Sequence, residues 1–95
     1  MGRPTKYNER RAGRACDLLR LGCTRKASAA GAGVAFTTFL RWERSFAPFA
    51  TALARAEAEC AVQMTLAIIH AAEGGDWRAA LAWLKAMRRE DWGGA

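Results

Sequence analysis

One histidine, His70, three cysteines and a few scattered carboxylates are all that this sequence offers for acid–base, nucleophilic or metal chemistry. His70 falls in the apolar end of a predicted helix, where it reads as a packed or partly exposed helix residue rather than a general base. Glu73 and Asp76 flank the Gly74-Gly75 turn, and Glu90 and Asp91 follow near the C-terminus. These are placements of helix-end and surface charges, not of a metal pair. Cys16, Cys23 and Cys60 form no Cys-x-x-Cys pair, so they read as small apolar core residues in a reducing compartment, not as a disulfide framework or zinc knuckle. Gly31 and Gly33 make no phosphate loop, because no strand precedes them and no Gly-Lys-Ser/Thr follows. The sequence therefore predicts no catalytic residue, no metal and no cofactor.

The chemistry that is present belongs to arginine. Of 15 Lys and Arg residues 12 are Arg, against 9 acids, for a net charge of +6. The guanidinium is a planar fork that suits phosphate oxygens and guanine edges. The charge is lopsided: residues 1–44 carry +7 and residues 45–95 carry −1. A basic half beside a near-neutral half points to a polyanion-binding module joined to something else, with double-stranded DNA as the expected partner. Arg3 and Lys6 put positive charge on an N-terminal arm, residues 1–7, that Gly2 and Pro4 keep out of helix. Arg25 and Lys26 open a short predicted helix, where cations and free N–H groups can clamp phosphate; the alternative is a solvated first turn. Phe36, Thr37, Leu40, Arg41 and Arg44 share the outward side of the next helix if Phe39 and Trp42 point inward. There Arg41 is the base reader, through guanine O6 and N7. Thr37 meets a base edge or phosphate, Phe36 packs on a thymine methyl, and Arg44 contacts phosphate. For Phe36 and Leu40 the alternative is an apolar rim covered by the long helix that follows.

The elements that must position these side chains are helical. Alanine occupies 22 of 95 positions and apolar residues make up 52%, with few β-branched residues, which favours an all-α fold of one small domain or a domain plus an appendage. Asn8 caps a first helix running to about Leu21, with Ala12, Ala15, Cys16 and Leu19 on one face and Gly22 as its stop. Thr24 caps a second, about Arg25 to Ala30, and a third runs from about Phe36 to Phe46. Ala29, Gly33, Val34, Phe39 and Trp42 supply a small residue, a turn glycine, an apolar plug and an inward helix face, the pattern of a helix-turn-helix. Pro48 separates this basic arm and DNA-binding domain, residues 1–47, from a second unit, residues 48–95. The second unit reads as an antiparallel hairpin of a long helix, about Pro48 to Glu73, and a short one, about Trp77 to Arg89, capped by Asp76. Phe49, Leu53, Ala56, Cys60, Met64, Ala67 and Ile68 form one apolar stripe, while Val62, Leu66 and Ile69 lie on the opposite side. The short helix covers only one of these, so Val62, Leu66, Ile69 and Trp83 are expected to form a homo-oligomer interface. No stretch of about 18 apolar residues exists to span a membrane, and no apolar run follows the N-terminal cations as a secretory signal would require.

Gly2-Arg3-Pro4-Thr5-Lys6-Tyr7, Leu21-Gly22-Cys23-Thr24-Arg25-Lys26-Ala27, and Gly33-Val34 with Thr38-Phe39-Leu40-Arg41-Trp42 together resemble the small terminase subunits of tailed bacteriophages. So do Ala71-Ala72-Glu73-Gly74-Gly75-Asp76-Trp77-Arg78-Ala79-Ala80 and Glu90-Asp91-Trp92-Gly93. The resemblance implies a non-enzymatic DNA-packaging protein of the bacterial host cytoplasm that recognises viral DNA, assembles as a ring, and delivers DNA to the large terminase, an ATPase–nuclease motor. The sequence departs from the family at Ala35, where a serine cap would precede the third helix. Other helix-turn-helix proteins, namely transcriptional regulators and the DNA-binding parts of transposases, share the pattern of the first half.

Overall fold

The computed structural model describes residues 6–88, and they form five α-helices: α1 (Glu9–Arg20), α2 (Arg25–Gly31), α3 (Phe36–Ser45), α4 (Ala47–Glu73) and α5 (Trp77–Met87). The helix starts follow from local chemistry. Asn8 accepts from the Arg11 N–H, Thr24 from the Ala27 N–H, and Asp76 from the N–H groups of Arg78 and Ala79. Each cap satisfies N–H groups that a helix start leaves without partners. At α3 the cap position is Ala35, which has no side-chain oxygen to offer. Gly33, in the α2–α3 turn, has φ +76°, a backbone conformation that side chains resist.

The chain divides into two compact units, residues 1–60 and residues 61–95. The first holds every buried apolar residue among those described: Ala12, Ala15, Cys16 and Leu19 of α1, Ala29 of α2, Ala32 and Val34 of the turn, Phe39 and Trp42 of α3, and Phe49, Leu53 and Ala56 of α4. The division thus falls at Cys60 rather than at residue 47. The first turns of α4 belong to the first unit because Phe49 and Leu53 complete its core. The ring of Phe49 meets Phe39 edge-on at 5.4 Å and Trp42 at 6.1 Å. Tyr7 also departs from the expected arm. It is half-buried, 5.1 Å from Trp42 and 4.2 Å from Phe46, and it ties the start of the described chain to the aromatic cluster.

In the second unit no residue of the end of α4 or of α5 is buried. Val62 is 57% exposed, Leu66 60% and Trp77 66%. Ile69 does not share that free face. It lines a cleft with Ala72 and Glu73 of α4 and with Ala80, Trp83 and Leu84 of α5. Ile69 and Trp83 thus line one cleft, whereas Val62 and Leu66 are exposed. No helix among the described residues is long and apolar enough to cross a membrane.

Candidate nucleic-acid interface

The electrostatics of the first unit are decided by where its carboxylates go. Four of them are held by two arginines. Arg20 bonds Asp17 at 2.9 Å and Glu59 at 3.1 Å. Arg25 engages all three guanidinium nitrogens: Nη1 donates to both oxygens of Glu43 at 2.8 Å, while Nε and Nη2 bond Glu57 at 3.1 and 2.9 Å. The two carboxylates hold the Arg25 guanidinium charged well above its ordinary range, and Arg25 holds the Glu57 carboxyl below its ordinary value. The structure thus places Arg25, expected on phosphate, between two carboxylates. Four of its five N–H donors are committed, and a phosphate would compete with two ion pairs that tie α2 to α3 and α4.

Among the described residues of this unit, Lys6, Arg10, Arg11, Arg14, Lys26, Arg41, Arg44 and Arg55 have no carboxylate partner. Lys6, Lys26, Thr37 and Arg44 are exposed, as the sequence reading requires of contact residues. Arg41 is half-buried, with Nη2 3.5 Å from the Thr38 hydroxyl, a long contact that leaves most of its fork uncommitted. Phe36 is half-buried against the core and stacked with Phe39 at 6.0 Å, and Leu40 packs against the same core. Both form a partly covered rim of the core. Arg3 lies outside the described residues.

Arg10, Arg11 and Arg14 are not among the contact residues the sequence predicts, yet the structure gathers them. They sit on one side of α1, at spacings of three and four residues. Together with Asn8 and Ala32 they line a groove at the α2–α3 turn. Arg11 reaches across to donate from Nη1 to the Gly33 carbonyl at 3.2 Å. The signal was the repeat of arginine at helical spacing, but what it faces depends on a contact between residues 22 positions apart. Cys23, expected in the core, is exposed, and only Cys16 of the three cysteines is buried. Among the described residues no group of His, Cys, Asp and Glu is placed to hold a metal. Comparison of the chain with protein-family models, with curated proteins and with solved structures gives no match.

Proposed function

We propose that this chain is a non-enzymatic protein that binds double-stranded DNA through a helix-turn-helix formed by α2 and α3. The observation that carries this reading is the sorting of charge in the first unit. Two arginines absorb four carboxylates at the α1–α4 and α2–α3–α4 seams, leaving cations on α1, at the start of α2 and along α3 with no carboxylate partner among the described residues. A polyanion is the ligand such a surface suits. In this reading α3 enters the major groove, Arg41 reads a guanine, Thr37 meets a base edge, Phe36 offers its edge to a thymine methyl, and Lys6, Lys26 and Arg44 contact phosphates.

The second unit then serves assembly. It has fewer than 40 residues, buries no described residue, and exposes Val62, Met64, Leu66, Trp77 and Met87. A helical hairpin of that size lacks a core of its own and gains one from copies of itself. The resemblance to small terminase subunits extends the proposal: a ring of copies recognises viral DNA and delivers it to the large terminase. Fluorescence anisotropy with labelled duplex across a salt series tests the DNA reading. The expected result is tight binding at low salt that weakens steeply as salt rises; absence of binding at low salt overturns it. Mass measurement of the assembly separates packaging from regulation, a closed ring supporting the former and a two-fold dimer the latter.

A further inference from the structure

We infer that Arg10, Arg11 and Arg14 form a dedicated clamp for the DNA phosphodiester backbone beside the α2–α3 turn. The inference rests on the DNA-binding reading and deepens it by naming which surface holds the backbone. Three observations converge on it. The arginines line one groove with Asn8 and Ala32, so the wall is cationic on one side and formed by the turn on the other. None has a carboxylate partner among the described residues, whereas Arg20 on the same helix is bonded to Asp17 and Glu59. Arg11 is already held in place, with Nη1 on the Gly33 carbonyl, which leaves Nε and Nη2 to donate elsewhere.

That last contact gives the site its order. A guanidinium fixed by one hydrogen bond loses less side-chain freedom when it binds, so the remaining donors act at lower entropic cost. The Gly33 residue it grips is the positive-φ turn glycine two positions before Ala35, the cap position of α3. A phosphate in the groove therefore sits at the entrance to α3. Arg10 and Arg14, one helical turn apart and both exposed, extend the contact along the strand. The clamp carries no sequence information; it sets the register from which α3 reads bases.

The test compares the full chain with two double variants of equal charge loss, Arg10→Gln/Arg14→Gln in the groove and Arg55→Gln/Lys85→Gln outside it. Arg11 is kept, because its bond to Gly33 also supports the turn, and thermal melts verify that each variant folds. Affinity for a mixed-sequence duplex is measured by anisotropy at several salt concentrations. The groove variant is expected to bind about ten-fold or more weaker, with the slope of log affinity against log salt shallower by about 2. The outside variant should keep nearly the wild-type slope. If the wild type binds duplex and both variants lose affinity and slope equally, the arginines act only through the overall field and the clamp is wrong while the DNA reading stands. The same holds if the groove variant binds as the wild type does. If the wild type binds no duplex at low salt, the DNA reading itself fails and the clamp with it.

Discussion

Arg25 shows how neighbours withdraw a cation from a role its position suggests. It opens a helix, where phosphate is commonly held, yet Glu43 and Glu57 take four of its five N–H donors. Its partners lie 18 and 32 positions away, so nothing in the local sequence announces them. Local chemistry, by contrast, was legible. Asn8, Thr24 and Asp76 cap the helices that their side chains predict, and Gly33 takes the positive φ its turn requires. Two predictions belong at this scale. Gly33→Ala should destabilise the first unit by about 1–2 kcal/mol, because alanine resists that backbone conformation. Ser28, fully buried in α2, has a hydroxyl without a partner among the described residues. Ser28→Ala removes that buried polar atom and should stabilise by about 1 kcal/mol. Urea denaturation measures both, and a stabilised Gly33→Ala or a destabilised Ser28→Ala would show that the turn or the core is arranged differently.

At the scale of elements, α4 carries the least legible feature. Its apolar stripe runs on without a break past Cys60, and Pro48 marks its start in the way a domain boundary would. Only the packing of Phe49, Leu53 and Ala56 reveals that its first turns complete the core of α1–α3. The bonds of Arg25 to Glu43 and Glu57, and of Arg20 to Glu59, reinforce that attachment from the surface. Glu57 gives this brace a pH dependence. Arg25 lowers its folded-state pKa below the ordinary 4.5, so its contribution is complete above that value and is lost as pH falls through the lowered one. The Glu57 side chain is 41% exposed, so solvent screening limits the contribution to about 0.5 kcal/mol. Thermal melts of wild type and Glu57→Gln should differ near neutral pH and converge once pH falls through the lowered pKa of Glu57. A gap that persists in acid would mean that the Arg25–Glu57 pair is not its source.

At the scale of the whole molecule, a unit that holds every buried apolar residue among those described is joined in one chain to a unit that buries none of them. The all-helical composition was legible from alanine content and helical spacing. The distribution of apolar surface was legible only in part, because Ile69 and Trp83 share the α4–α5 cleft while Val62 and Leu66 stay exposed. Val62→Glu/Leu66→Glu should therefore dissociate the proposed assembly without unfolding either unit, since both positions are open to solvent in the single chain. Light scattering at several concentrations reads this, and a wild type that stays monomeric throughout would contradict assembly by this face. The central claim concerns which surface meets DNA, and amide hydrogen exchange with and without a saturating duplex tests it most directly. The account predicts slowed exchange in the first half of α1 and from α2 through α3, relative to the rest of the first unit. Slowing confined to residues 61–88, or no change anywhere at low salt, would contradict it.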